Sequence, residues 1–170
     1  MNRPTPIRIS PLAMKSGHET STIIDTTLIR TKASDARQSA RKRDIHIFHT
    51  GDEDNLHRML NAVQPGSCIT PHRHKSPPKS EALILLQGLL GYVEFDDHGR
   101  PNEIASVLLD LDKGIIGVDI RPGVLHTIFA LSADTVVFEV KPGPYDASCD
   151  KGFAPWAPHE SESLVTGGIV

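Results

Sequence analysis

The residue types in this chain that are best suited to chemistry are histidines, and two of them, His72 and His74, are separated by one residue. Residues i and i+2 of a β-strand project from the same face, so the two imidazoles would lie close enough to share a metal ion. Glu81 follows after a short loop, and His126 follows a Pro-Gly turn. Three imidazoles and a carboxylate suit a borderline divalent transition metal. If that metal is octahedral, two positions stay open for water, substrate or oxygen.

Each of these residues taken alone has an ordinary structural explanation. A His-x-His pair is most often exposed or hydrogen-bonded, and a lone Glu81 would be a solvent-facing strand end. His126 alone would be a hydrogen-bonded strand histidine. The joint spacing of all four, in a β-rich context, favours the metal site.

Three further polar residues are candidates for catalysis. Glu139 and Lys141 share one face of the predicted strand Thr135–Lys141, and that face is either solvent-exposed or the lumen of a barrel. Gln87 has the same strand parity as Glu81, so it either contacts a substrate or metal-bound water, or caps its strand.

The Pro/Gly-rich segment after Pro142 contains Tyr145, Lys151 and Trp156. These residues are predicted to form a lid over the site, a subunit contact, or a strap packed on the domain. Tyr145 is the fourth catalytic candidate.

The elements that must position these residues begin with an N-terminal region of different character. Residues 1–20 contain three prolines and no sustained periodicity, which predicts an irregular arm. The segment 21–43 is predicted to hold a helix over 25–43, with Asp25 as its cap and apolar residues at helical spacing. The basic residues 41–43 favour the C-terminal end of this helix and are predicted to be solvated.

From Ile45 onward the apolar period changes to two, which indicates strands. Eight or nine short strands are predicted, with no further helix, although Leu56–Val63 has a helical alternative: Ile45–His49, Leu56–Val63, Ser67–His74, Glu81–Gln87, Leu90–Phe95, Glu103–Asp110, Ile115–Ile120, Val124–Leu131 and Thr135–Lys141. A β-sandwich or small closed barrel is the natural fold. The barrel with its C-terminal strap is predicted over 44–160, followed by a tail over 161–170.

Composition narrows the function classes. The chain has 170 residues, a size typical of one domain, and its net charge of −3 excludes a nucleic-acid binder that relies on bulk positive charge. No apolar run approaches the ~20 residues of a membrane helix, and the N-terminus lacks a secretory apolar region. The two cysteines, Cys68 and Cys149, lack CxxC spacing, so a reducing cytoplasm is expected.

Two stretches resemble the motifs of the cupins. The pattern G-x5-H-x-H-x6-E-x6-G begins at Gly66 and resembles the first motif, and P-G-x2-H ends at His126 and resembles the second. The resemblance implies an all-β double-stranded β-helix, or jelly-roll barrel, with an N-terminal helix and a C-terminal strap. It also implies that the metal ligands are His72, His74, Glu81 and His126. Cupins usually have three or four residues before the glutamate, so the six-residue loop here is predicted to bulge outward.

A narrower resemblance covers about residues 24–158 and points to the WbuC family of cupin-fold metalloproteins. The matching stretches are PGSCITPHRH, LLQGLLGYVEFDDHGR and FEVKPGPYDASCDKGFAPWAP. Members of this family often occur among bacterial surface-polysaccharide (O-antigen) genes. The resemblance implies a fold and a metal site without naming a reaction, and cupins in general suggest a homodimer.

Three functions follow as hypotheses. The first is a metal-dependent enzyme, an isomerase or oxygenase, acting on a sugar-like or sugar-nucleotide-like small molecule. The second is a non-catalytic cupin that binds a metal or ligand, as a sensor or binding module. The third is a structural partner whose C-terminal segment docks in an assembly. The metal is a divalent transition ion, Zn, Ni, Fe, Mn or Cu.

Overall fold

The computed structural model describes residues 5–10, 13–17, 20–67 and 69–158. These residues form one α-helix, α1 (Thr26–Gln38), and twelve strands, which are in chain order β1 (Ile7–Ser10), β2 (Ala13–Lys15), β3 (Arg43–Ile47), β4 (Leu56–Val63), β5 (His72–Arg73), β6 (Glu81–Gln87), β7 (Leu89–Phe95), β8 (Val107–Asp110), β9 (Gly117–Ile120), β10 (Leu125–Ala130), β11 (Thr135–Pro142) and β12 (Gly152–Phe153). A single 3₁₀ turn spans Leu111–Lys113. In these parts of the chain, no helix has the length and apolar character that crossing a bilayer requires.

The strands form two sheets whose order defines a jelly roll. One sheet has the order β1-β2-β3-β4-β11-β6-β9 and the other β12-β5-β10-β7-β8. Between β4 and β11 the chain crosses repeatedly from sheet to sheet, so that β4, β11, β6 and β9 face β5, β10, β7 and β8. All pairings are antiparallel except β2 with β3. This is the predicted all-β jelly-roll barrel of the cupin type, and the fold prediction is confirmed.

The helix begins where the sequence predicts and ends five residues earlier. The Asp25 carboxylate accepts a hydrogen bond from the Leu28 amide at 3.0 Å, as expected of an N-cap. The helix ends at Gln38, because Ser39 is extended and Lys42 takes a left-handed φ of 55°. Arg43 therefore begins β3, and the prediction that residues 41–43 form the helix end is wrong.

The N-terminal arm contains regular structure that the sequence pattern does not show. β1 and β2 pair with each other, and Ala13 of β2 lies opposite Ile45 of β3 in the parallel pairing. The prediction of an irregular arm over 1–20 is therefore wrong for the described part. A sheet edge offers unpaired amides and carbonyls to any extended segment, whatever its side-chain pattern.

The larger sheet is covered on both faces, which explains the continuous apolar run of β6. On the inner face, Leu83 and Leu85 pack with residues of the second sheet, including Tyr92 and Ile128. On the outer face, Ala33 and Ala36 of α1 lie in a second cluster that includes Leu60, Ala62 and Val136. A strand buried on both faces has no polar alternation. Leu83 and Ile128 also line a cavity inside the barrel, so the apolar core adjoins the polar residues described below.

Candidate metal centre

The strand pairing brings the two histidine motifs together. His126 of β10 lies directly opposite His72 of β5, although 53 intervening residues separate them in the chain. The ring centroids of His72 and His126 are 4.8 Å apart, and those of His72 and His74 are 5.3 Å apart. All three histidines are buried.

Each of the three imidazoles is anchored through the same nitrogen. Nδ1 of His72 donates to the Thr70 carbonyl at 3.0 Å, and Nδ1 of His126 donates to the Val124 carbonyl at 3.1 Å. Nδ1 of His74 donates to the Asp150 carbonyl. A carbonyl can only accept, so these bonds place the proton on Nδ1 and leave the Nε2 lone pair available. Such anchoring is typical of metal-binding histidines.

Glu81 completes the cluster. Its Oε2 lies 3.3 Å from Nε2 of His126 and 3.5 Å from Nε2 of His74. Ligand atoms of His72, Glu81 and His126 all lie within 4.8 Å of one another. Because β6 begins at Glu81, opposite Ile120 of β9, the strand register directs its side chain inward.

Two atoms of the cluster show that the donor set fits a cation. Nε2 of His74 and Oε2 of Glu81 are buried and have no hydrogen-bond partner. An imidazole lone pair and a carboxylate oxygen that face each other without a proton repel, and a buried polar atom without a partner costs free energy. A metal ion that accepts both lone pairs removes both costs. Imidazole nitrogen and carboxylate oxygen are suitable ligands for a divalent transition metal.

The six-residue loop between His74 and Glu81 extends outward as predicted. Residues 75–78 are exposed, and Lys75 and Pro78 form an isolated β-bridge. Lys79 returns to the interior, where its Nζ lies 2.8 Å from Oδ1 of Asp150 and 2.5 Å from the Pro144 carbonyl. This buried ion pair fixes the chain two residues before Glu81. The extra loop length is therefore accommodated outside the barrel.

Burial and neighbouring charges set the ionisation of the cluster. Burial, together with the nearby positive charge of Lys151, holds the pKa of His72 well below its ordinary value, so this imidazole is neutral at physiological pH. Neutral imidazoles and an ionised carboxylate are the states that bind metal.

His72, Glu81 and His126 of this cluster line a cavity of about 350 Å³ between the two sheets. Glu139 and Lys141 of β11 also line it and are buried, so their shared face is the lumen and not solvent. Burial and the charge of Glu81 raise the pKa of Glu139 to about 8, although Lys141 opposes this. The Asn61 amide donates to Oε2 of Glu139.

The remaining sequence candidates lie in two places. Tyr145 lines the cavity, with the Lys141 ammonium 5.9 Å from its ring centre. Gln87 is absent from the described residues that line the cavity, and its amide donates to the Asp134 carbonyl at 2.8 Å. Gln87 therefore caps a turn at the far end of its strand. Next to Gln87, the pairing of β6 with β11 shifts register at a bulge between Val136 and Val137.

Several cavity residues escape prediction from the sequence. Arg41 and Arg43 line the cavity, where the sequence pattern predicts a solvated helix end. His49 and His57 also line it and stack with ring centroids 4.0 Å apart. Asp150 supplies the carbonyl that anchors His74. Strand alternation along β4 could have predicted that His57 points inward. That prediction needs the internal face of the strand to be known, and the sequence pattern does not identify it.

These features define a cupin-type jelly-roll barrel with a candidate metal centre of three histidines and one glutamate. The model of a domain family of unknown function, DUF6016, matches residues 24–107. No curated protein sequence matches the chain.

Several solved structures are similar to the chain. Capsular polysaccharide assembling protein CapF from Staphylococcus aureus is 22% identical, with 64% of this chain and 28% of that chain covered and a TM-score of 0.48. KdgF from Halomonas sp. is 16% identical, with coverage of 62% and 82% and a TM-score of 0.45. A variant of oxalate decarboxylase from B. subtilis is 20% identical, with coverage of 59% and 24% and a TM-score of 0.41. The matched region thus spans less than a third of the CapF and oxalate decarboxylase chains.

Proposed function

We propose that this protein is a metal-binding cupin that acts as an enzyme on a small molecule. His72, His74, Glu81 and His126 would together hold one divalent transition metal ion. The observation that carries the proposal is the common anchoring of the three Nδ1 atoms to backbone carbonyls, which leaves three Nε2 atoms and the Glu81 carboxylate for a cation. The cavity beside these atoms supplies room for a ligand.

A metal ion bound here would supply Lewis-acid polarisation for an isomerisation, or oxygen activation if it is Fe(II). The protein's own groups supply proton handling and orientation. Glu139 holds its proton at neutral pH, because burial and the charge of Glu81 raise its pKa to about 8. The Asn61 amide orients the Glu139 carboxyl group, and Lys141 lies 3.8 Å from its Oε1. Glu139 is therefore placed to donate a proton to a ligand in the cavity.

The substrate we propose is a sugar or sugar-nucleotide-like molecule used in surface-polysaccharide biosynthesis. Support for this class comes from the sequence resemblance to the WbuC family. A cavity of about 350 Å³ is in the range of small-molecule sites. Tyr145, at the wall of this cavity, supplies an aromatic face of the kind on which a sugar ring packs.

The alternative is a non-catalytic cupin that binds a metal or ligand as a sensor or binding module. The observation that favours it is the deep burial of the three histidines, which are 3–5% exposed. Such burial suits a metal that no substrate reaches.

Elemental analysis of protein purified without an affinity tag tests the metal site, and a turnover screen then separates the two functions. We expect about one transition metal ion per chain, which is lost when His72 and His74 are both replaced by alanine. Conversion of a sugar or sugar nucleotide, followed by NMR, would support the enzyme. Ligand-dependent thermal stabilisation without conversion would support the binding module. A full complement of metal in the double variant would refute the centre described above.

A further inference from the structure

The side chain of Lys151 stands beside the candidate metal centre. Lys151 directly precedes β12, in which Phe153 lies opposite His72 and Gly152 lies opposite Arg73. The strand β12 thus carries Lys151 next to the strand that holds the first two histidines. Lys151 lines the cavity and is accessible to solvent.

Three nearby cationic side chains, those of Lys141, Lys79 and Arg73, form ion pairs with carboxylates, whereas that of Lys151 does not. Nζ of Lys141 lies 3.0 Å from Oδ2 of Asp150, and Nζ of Lys79 lies 2.8 Å from Oδ1 of the same residue. Arg73 forms an ion pair with Asp97. Within the described ranges of the chain, the Lys151 ammonium forms no ion pair and no hydrogen bond. A positive charge without a partner therefore faces the cavity.

Electrostatics at this position disfavours an isolated ammonium. Although solvent reaches Lys151, the protein atoms crowded around its ammonium and the positive charge of Lys141 lower its pKa, and Arg43 adds to the effect. Even an ionised Glu139, together with Glu81, attracts the ammonium too weakly to reverse this direction. An anion bound to Lys151 would relieve the repulsion between these cations.

The left-handed turn at Lys42 brings two more cationic side chains to the same cavity. Lys42 has φ of 55° and is exposed, while Arg41 and Arg43 on either side of it line the cavity. Arg43 is close enough to Lys151 to influence its ionisation. The cavity that Lys151 lines therefore also receives positive charge from this turn.

We propose that Lys151 binds the anionic group, a carboxylate or a phosphate, of the small molecule that occupies the cavity. This inference rests on the proposed function in one respect, namely that the same molecule reaches the metal centre. It adds the substrate class: an acidic sugar or sugar phosphate, with its charge held by Lys151. A charge-assisted hydrogen bond from an ammonium suits either anion.

Binding of three probes, inorganic phosphate, glucuronate and glucose, tests the proposal. Isothermal titration calorimetry at low ionic strength would compare wild-type protein, Lys151→Gln, Lys151→Arg and Lys113→Gln, each with and without bound metal. Lys113 is an exposed lysine in the 3₁₀ turn and serves as the matched charge control. Glucuronate and glucose differ at one carboxylate, and phosphate distinguishes the two kinds of anion.

We expect at least one of the two anions to bind wild-type protein about tenfold or more tightly than glucose binds. Lys151→Gln should lose about tenfold or more of this affinity while its metal content stays at the wild-type value. Lys151→Arg should recover part of the affinity, and Lys113→Gln should retain it. Equal anion affinity in wild-type protein and Lys151→Gln, or the failure of both phosphate and glucuronate to bind more tightly than glucose, would each overturn the proposal. Metal content is measured separately. Wild-type protein that lacks metal would refute the proposed function, and the titrations of metal-free protein would then decide whether Lys151 binds the anion.

Discussion

His126 lies directly opposite His72 where β10 pairs with β5, and Nδ1 of each ring is held by the backbone carbonyl two residues before it. The same local hydrogen bond, from Nδ1 to the carbonyl two residues earlier, thus occurs on both of these adjacent antiparallel strands. The pairing fixes their separation, and the carbonyls fix the orientation of the rings. A site built this way is preorganised before any ion arrives.

Replacing His72 and His74 by alanine should abolish stoichiometric metal binding, because two of the four proposed ligands are lost. The β-fold should survive, since neither histidine belongs to the apolar core cluster of the barrel. Mass-spectrometric metal analysis and circular dichroism would measure the two effects. His98→Ala, at an exposed turn, is the control and should keep its metal. Metal retained in the double variant would place the site elsewhere.

Glu81→Gln should weaken metal binding while preserving side-chain size. Substitution of a residue that only supports a metal ligand typically lowers metal affinity ~10–100-fold. The loss of affinity in Glu81→Gln should be at least as large, because Oε2 of Glu81 faces the histidines directly. Competition with a chromogenic chelator would give the affinity. Glu103→Gln, on an exposed loop, should leave it unchanged. Wild-type affinity in Glu81→Gln would reduce the centre to its three histidines.

Metal occupancy should fall as pH decreases, because protons compete with the metal for imidazole. Burial lowers the pKa of His72 in the folded state. As the pH falls, His72 is therefore protonated at a higher pH in the unfolded chain than in the folded protein. The stability that it contributes is therefore complete above the unfolded pKa of ~6.5 and is lost as pH falls below it. We expect metal content and the metal-dependent part of the melting temperature to decline together between about pH 6 and 5. Full occupancy at pH 4.5 would indicate ligands other than histidine.

Gly143→Ala should destabilise the contact between the C-terminal strap and the loop after β3. A Cβ at this position would lie 1.7 Å from the Asp54 carbonyl oxygen and 2.8 Å from the His57 ring. The backbone amides of Gly143 and Tyr145 bond to the carbonyls of Asn55 and Asp52, so the clash must displace both segments. We expect a loss of about 1–3 kcal/mol, measured by calorimetry as about 2–4 °C per kcal/mol.

Gly51→Ala provides the control for this substitution, because a Cβ there meets nothing within 4 Å. Its melting temperature should stay close to that of the wild type. Equal melting temperatures for Gly143→Ala and the wild type would show that the strap does not pack on this loop as described.

Local signals predicted those features that depend on local physics. The boundaries of β4 and β6 follow from apolar pattern and flanking turns, and the helix start follows from the Asp25 cap. The single-residue spacing of His72 and His74, with the turn before His126, predicted that these three side chains would lie together. The end of the helix was not predictable, because Lys42 turns left-handed to let Arg43 join a sheet formed by distant strands.

The sequence by itself determined that this chain would be a β-barrel with a histidine-rich site, because period-two patterning and residue spacing act over a few residues. Only the tertiary structure decided what surrounds that site. Residues distant in the chain meet there: Asp150 anchors His74, Lys79 pairs with Asp150, and Arg43 shares a cavity with Lys151. Such contacts depend on strand register and on the path of the strap, which are set by the packing of the whole barrel.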